Sequence, residues 1–204
     1  MEMPKSILIK MFICLFALLS IMSKSAMANI WYVNQNNTGK EDGKTWEKAY
    51  RSLQSALEVS SPGDQIWVAK GIYKPHESDR EISFQLRPYV HVYGGFHGDE
   101  KKLEERNYIS HETILSGDIG NGNKLKNSIT IVRGADYAVL DGFTVSDAYA
   151  GADQSQPKLH LTREEILKDT MPNGGGMRNF MVGPIVRNCI FKNNYSMKGA
   201  QYTI

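Results

Sequence analysis

Short apolar runs punctuated by Gly, Asn, Asp or Pro make up most of the chain, and helical spacing is scarce. Residues 29–33 (NIWYV) form a β-prone run. Residues 34–43 (NQNNTGKEDG) form a polar, turn-rich loop that also holds the glycosylation pattern Asn36-Asn37-Thr38. Ala49, Leu53, Ala56 and Leu57 then recur at the spacing of one helical face. Ser52 is placed to cap that helix and Ser61-Pro62-Gly63-Asp64 to stop it, which predicts a short amphipathic helix over 52–59. Beyond it, strands are predicted at 65–69, 82–86, 90–93, 113–115, 129–132, 139–145 and 185–191. Many short strands with regular punctuation point to an all-β architecture.

Laying these runs over one another gives a repeat. Val92-Tyr93-Gly94-Gly95-Phe96 aligns with Val139-Leu140-Asp141-Gly142-Phe143. Ile114-Leu115-Ser116-Gly117-Asp118 falls between them, and Ile185-Val186-Arg187-Asn188-Cys189 follows. The shared turn position is Gly95, Gly117, Gly142 and Asn188, at steps of 22, 25 and 46 residues. In a second register, Gly175 to Phe180 matches Gly199 to Ile204 at a step of 24. Strand-and-turn periods of this length predict a coil that stacks on itself, with Gly and Asn at corners that need left-handed backbone. Met177, Ile185, Cys189 and Phe191 are expected inside, and Asn188, Asn193 and Asn194 at turns. The predicted helix, with Trp46 and Trp67 nearby, is expected to cap the N-terminal end of the core. The final repeat stops mid-strand, so further coils of a longer protein are expected after Ile204.

The first residues have a different character. Lys5 and Lys10 precede a twelve-residue apolar run, 11–22, and Ala26-Met27-Ala28 follows as a small-x-small site. This is a secretory leader layout, with cleavage expected near Ala28, and the run is too short for a good membrane span. Met11-Phe12-Ile13 before Cys14 argues against a lipidated cysteine. Without Lys5, Lys10, Lys24 and Glu2, the 24 basic and 22 acidic residues become 21 of each. The net charge of +2 thus falls to zero, which opposes a nucleic-acid footprint. One cysteine, Cys189, remains, so no internal disulfide forms, and its apolar surroundings suit a small buried hydrophobe.

Residues 30–75 carry a set of features in fixed order. These are Tyr32-Val33, Gly43 and Trp46, the segment Leu53 to Leu57, Pro62-Gly63-Asp64, and the strand run Ile66 to Tyr73. In this order they resemble the N-terminal entry of secreted bacterial right-handed parallel β-helix proteins of the pectate-lyase-like superfamily. Val92 to Phe96, Ile114 to Asp118, Leu140 to Thr144 and Gly174 to Met177 are similar to its polymorphic outer-membrane-protein-like branch. The resemblance implies a right-handed parallel β-helix solenoid with a short N-terminal capping helix. The expected division is a leader over 1–28, cap and first strands over 29–75, and coils over 76–204. One departure lies at 149–173, where Thr162-Arg163-Glu164-Glu165 forms a capping box and predicts a helical insertion.

The resemblance is specific for fold more than for function. It implies either an exported or cell-surface module (outer membrane included) for adhesion, envelope structure or glycan contact, or a carbohydrate-active enzyme. The enzyme would be a polysaccharide lyase or glycoside hydrolase, its catalytic residues mostly beyond this chain. β-Helix lyases pair a Lys or Arg base with carboxylates, often through Ca²⁺, on one outer face, and the linear sequence offers no such set. The best local oxygen cluster is Asp118, Asn121 and Asn123, with a single carboxylate where Ca²⁺ wants six to eight oxygens. Asp99, Glu100, Glu104 and Glu105, mixed with Lys101, Lys102 and Arg106, suit a solvated loop. The five histidines show no metal spacing, His91 is expected to point outward from its strand, and no Gly-x-Ser-x-Gly motif occurs. Tyr73, Tyr89 and Tyr108 are candidates for stacking on sugars. The expected partners are therefore polysaccharide or cell-surface glycan, and the residues favour the non-catalytic module.

Overall fold

The computed structural model describes residues 28–151 and 174–196 of the 204. Residues 1–27 of the expected leader, the expected insertion from 152 to 173 and the last repeat at 199–204 lie outside the described residues. Among the described residues there are fourteen short strands, one α-helix and three 3₁₀ turns. The chain is β-rich and its strand pairings are parallel.

Strands are numbered in chain order. Sheet A contains β1 (Ile30–Val33), β2 (Gln65–Ala69), β5 (His91–Phe96), β8 (Val139–Asp141) and β12 (Ile185–Arg187), in that spatial order. Sheet B contains β3 (Gly71–Tyr73), β6 (Thr113–Ser116), β9 (Thr144–Ser146) and β13 (Ile190–Lys192). Sheet C contains β4 (Phe84–Gln85), β7 (Val132–Arg133) and β11 (Met177–Arg178), and β10 (Tyr149–Ala150) pairs with β14 (Tyr195–Ser196). From β2 onward the chain visits A, then B, then C, three times in the same order. The sheets stay open, with β1 and β12, β3 and β13, and β4 and β11 at their edges.

Period-2 alternation sorts the side chains. In sheet A, Ile66, Val92 and Leu140 are in register and fully buried, and they share one core with Val68, Phe84, Leu115, Val132 and Val145. Burying each such side chain contributes roughly 1.5–3 kcal/mol. The other face of sheet A carries a second cluster of Trp67, Tyr93, Phe96 and Val139, covered by Trp46 and Leu103. An extra residue in β5 helps build it. Trp67 pairs with Tyr93 but Ala69 pairs with Phe96, a bulge at Gly94-Gly95, and the Phe96 ring stacks on Trp67 at 4.7 Å.

Helix α1 (Leu53–Val59) forms where the pattern predicts it, with the Ser52 side chain accepting from the Gln54 N–H. Leu53, Ala56 and Leu57 join the main core. Trp46 and Trp67 do not sit with them, because the alternation of β2 puts Trp67 on the opposite face from Ile66 and Val68. The Pro62-Gly63-Asp64 turn has a second role: Asp64 is buried and ties down β1. Its Oδ1 accepts from Asn29 N at 2.8 Å and Asn29 Nδ2 at 3.1 Å, and its Oδ2 from Trp31 Nε1 and Ser61 N, both at 2.9 Å. Burial opposes the charge, but the four N–H donors outweigh it and hold the carboxyl below its ordinary value.

The repeat differs from the expectation in one respect. The step of 46 between β8 and β12 is as aligned, with Val139, Leu140 and Asp141 opposite Ile185, Val186 and Arg187. However, Ile114 to Ser116 lie in sheet B and pair with β9, so Gly117 is not equivalent to Gly95 and Gly142. The steps of 22 and 25 joined corners of different sheets. Gly95 and Gly142 (φ 91° and 85°) and Asn188 (φ 50°) are left-handed as expected, and so are Asp147 and Asn193 at the corner after sheet B. The predicted strands 139–145 and 185–191 each break in two at the corner, around Gly142-Phe143 and Asn188-Cys189. Ile185 falls on the outer face and is exposed, and Val186 takes the interior row. Met177, Cys189 and Phe191 pack against the core as expected.

Candidate functional site

Position in the register, more than any local motif, brings polar and aromatic side chains together here. On the outer face of sheet A, Tyr93, Asp141 and Arg187 are consecutive rungs of one row. Arg106 reaches over them from the 97–112 loop, its Nη2 2.9 Å from Asp141 Oδ1 and its guanidinium over the Tyr93 and Tyr108 rings at 5.2 and 5.5 Å. Asn188 Nδ2 donates to the same oxygen at 2.8 Å, and Arg187 Nη2 lies 3.3 Å from Oδ2. This is an Arg-plus-carboxylate set on one sheet face, which the linear sequence did not reveal. Its geometry is that of a staple: Asp141 is buried, and both oxygens are already engaged. Arg187, just over half exposed, is the member that faces solvent.

The same loop is held from inside by Glu100, which is not the solvated side chain expected. It is buried and accepts the backbone N–H groups of His97, Gly98 and Asp99. Burial works against its charge, and these N–H groups prevail, so the carboxyl lies below its ordinary value. The His97 and His111 rings stand 5.3 Å apart, and His91 hydrogen-bonds Tyr93. Among the described residues no three His, Cys, Asp or Glu side chains are placed to share a metal ion. Asp118 and Asn121 are exposed at a corner loop, and Asn123 Oδ1 accepts from Leu125 N, capping a 3₁₀ turn. One carboxylate and an engaged amide do not fit the oxygen cage of Ca²⁺.

Of the three tyrosines singled out, Tyr73 is buried, its hydroxyl donating to Ala69 O, and burial pushes its phenol far above the ordinary range. Tyr108 is partly covered by Arg106. Tyr89 is different. It stacks on Tyr137, centroids 4.8 Å apart and planes 17° from parallel, and the two rings are 51% and 60% exposed. Both residues hold left-handed backbone, φ 60° and 57°. Asn and Asp tolerate that region, whereas an aromatic residue there is strained by about 1–3 kcal/mol. The pair occupies the corner between sheets C and A. Beside it, sheet C presents Gln85, Arg133 and Arg178 in one outward row, since Phe84, Val132 and Met177 point inward. Arg178 lies over the Phe180 ring, and its guanidinium is held below its ordinary value by burial first and by the Arg133 charge second. Exposed, stacked aromatic rings suit a ligand that offers flat C–H faces.

Comparison with family models, with curated proteins and with solved structures found no match. Among the described residues no helix is long and apolar enough to cross a membrane.

Proposed function

We propose that this chain is an exported or cell-surface protein, a right-handed parallel β-helix that contacts glycan without catalysing its cleavage. The repeated order of sheets A, B and C and the left-handed Gly and Asn corners support the solenoid. The observation that carries the glycan reading is the exposed, stacked Tyr89–Tyr137 pair in strained backbone at the corner between sheets C and A. Strained backbone that holds apolar rings in solvent is uncommon unless the rings have work to do there. Export rests on the leader pattern of residues 1–28. With cleavage after Ala28, the freed α-amino group of Asn29 is the nitrogen 2.8 Å from Asp64 Oδ1, so processing supplies a cation to a buried carboxylate. The test is retention on immobilised polysaccharides (pectate, alginate, galactan, chitin). Saturable binding with no product release is the expected result, and absence of retention on all of them refutes it.

The Arg106–Asp141–Arg187 set favours a second reading, a polysaccharide lyase or glycoside hydrolase. Because Asp141 is fully engaged, Arg187 would have to serve as the base. Appearance of unsaturated products from pectate, alginate or glycosaminoglycans, lost in Arg187→Met, establishes that reading in place of the first.

A further inference from the structure

Tyr89 and Tyr137 are the middle of a four-rung row. Gly63 N donates to Tyr89 O at 2.9 Å, Tyr89 N to Asp136 O at 3.2 Å, and Tyr137 N to Gly183 O at 3.2 Å. The order along the corner is therefore Gly63, Tyr89, Tyr137, Gly183. The two rings stack on each other, and the next rung on either side of the pair is a glycine. The two glycines have different reasons to be there. Gly63 has φ +95°, a backbone that calls for glycine by itself. Gly183 lies outside the left-handed range, and a Cβ on it would meet nothing within 4 Å. Neither conformation nor crowding requires glycine at 183. What the missing side chain does is leave the far face of Tyr137 uncovered, in a slot one strand spacing deep.

We propose that Tyr137 and Gly183 form a subsite for one hexopyranose unit, which lays its C–H face on the open Tyr137 ring as the next rung of the stack. The proposal rests on the glycan-contacting reading above and assigns it a place and a mode. Asp136 is exposed, and its Oδ1 accepts from Gly183 N at 3.0 Å, which fixes a carboxylate at the rim of the slot to receive sugar hydroxyls. A single-ring slot fits a saccharide better than a protein surface, which needs roughly 1,000 Å² or more of contact.

The test uses the full chain in native affinity electrophoresis through gels containing pectate, alginate, galactan or chitin oligomers. Tyr137→Asn removes the ring and keeps a residue tolerant of left-handed backbone. Gly183→Tyr keeps the ring and fills the slot with a third one. Both are expected to weaken retardation by roughly tenfold without lowering thermal melting. Ile72→Ser, on the exposed face of sheet B, is expected to leave retardation unchanged. If the wild-type chain is retarded and Tyr137→Asn and Gly183→Tyr bind equally well, the subsite is wrong and the glycan reading stands. If no gel retards the wild-type chain, both fall. A Tyr137→Asn variant that instead loses self-association by light scattering makes this face a contact between copies and overturns the subsite. Should one of the two variants fail to fold, the other decides.

Discussion

Replacing Asp64 by Asn probes how β1 is held to the rest of the molecule. Four N–H groups converge on the Asp64 carboxylate, two on each oxygen. An Asn side chain has one acceptor oxygen and an NH₂ that donates, so whichever way it turns, two donors face a donor. The cheaper orientation keeps the oxygen toward Trp31 and Ser61 and abandons Asn29, which is exposed and can turn to water. Two charge-assisted bonds are lost and two are weakened, so the loss is about 2 kcal/mol at pH 7. Because the folded carboxyl lies below its unfolded value of about 3.9, its contribution is complete above that pH and is lost as pH falls through the folded value. The gap between wild type and Asp64→Asn therefore holds from pH 7 down to about pH 4 and narrows as the pH falls further. Urea unfolding followed by tryptophan fluorescence measures both, and the Trp31 indole N–H reports on the same bond by hydrogen exchange. A variant within about 0.5 kcal/mol of wild type at pH 7, or a gap that does not narrow as the pH falls below about 4, refutes the reasoning.

Other substitutions separate further terms. Asp141→Asn should cost about 3 kcal/mol, and a double-mutant cycle should couple it to Arg106 by more than about 1 kcal/mol and to half-exposed Arg187 by less than about 0.5 kcal/mol. Gly95→Ala should cost more than about 2 kcal/mol, because a Cβ there lies 2.5 Å from Tyr108 Cα and the backbone has φ +91°. Gly122→Ala shares a positive φ but meets nothing within 4 Å, so urea titration should show only about 1 kcal/mol. Burial pushes the Cys189 thiol up, so disulfide-exchange reagents at pH 8 should label it far more slowly than the same chain in denaturant.

What could be read from the chain alone follows from the range of the interactions. The Ser52 cap, α1 and the Pro62-Gly63-Asp64 turn are local, and the residues that make them are neighbours in sequence. The β8–β12 step was legible because three consecutive apolar or corner positions repeat in it. Gly117 was misaligned because corners after sheet A and after sheet B use the same small and Asn-like residues for the same backbone reason. The Arg106–Asp141–Arg187 staple was half present in that alignment: Asp141 and Arg187 occupy the same column, opposite charges one step apart. Arg106 comes from a loop with no register, and nothing local marks it. Tyr89 and Tyr137 stand 48 residues apart, the step that also relates His91 to Val139, so a search for aromatic pairs at that interval was the missing signal. Glu100 looked like one more loop carboxylate because its partners are backbone N–H groups, which are invisible in side-chain patterning.

The order of strands in sheet A is the order of the chain, β1, β2, β5, β8, β12, and sheets B and C keep the same rule. Each strand's ladder partners are the ones before and after it, so its hydrogen bonds point along the direction in which the sheets grow. A load drawing the β1 and β12 edges apart therefore pulls those bonds lengthwise and opens them a rung at a time, like a zip. A load along the strands shears a whole row at once. For a protein held at one end and pulled at the other, that geometry yields in small successive steps and dissipates tension gradually before the core is lost.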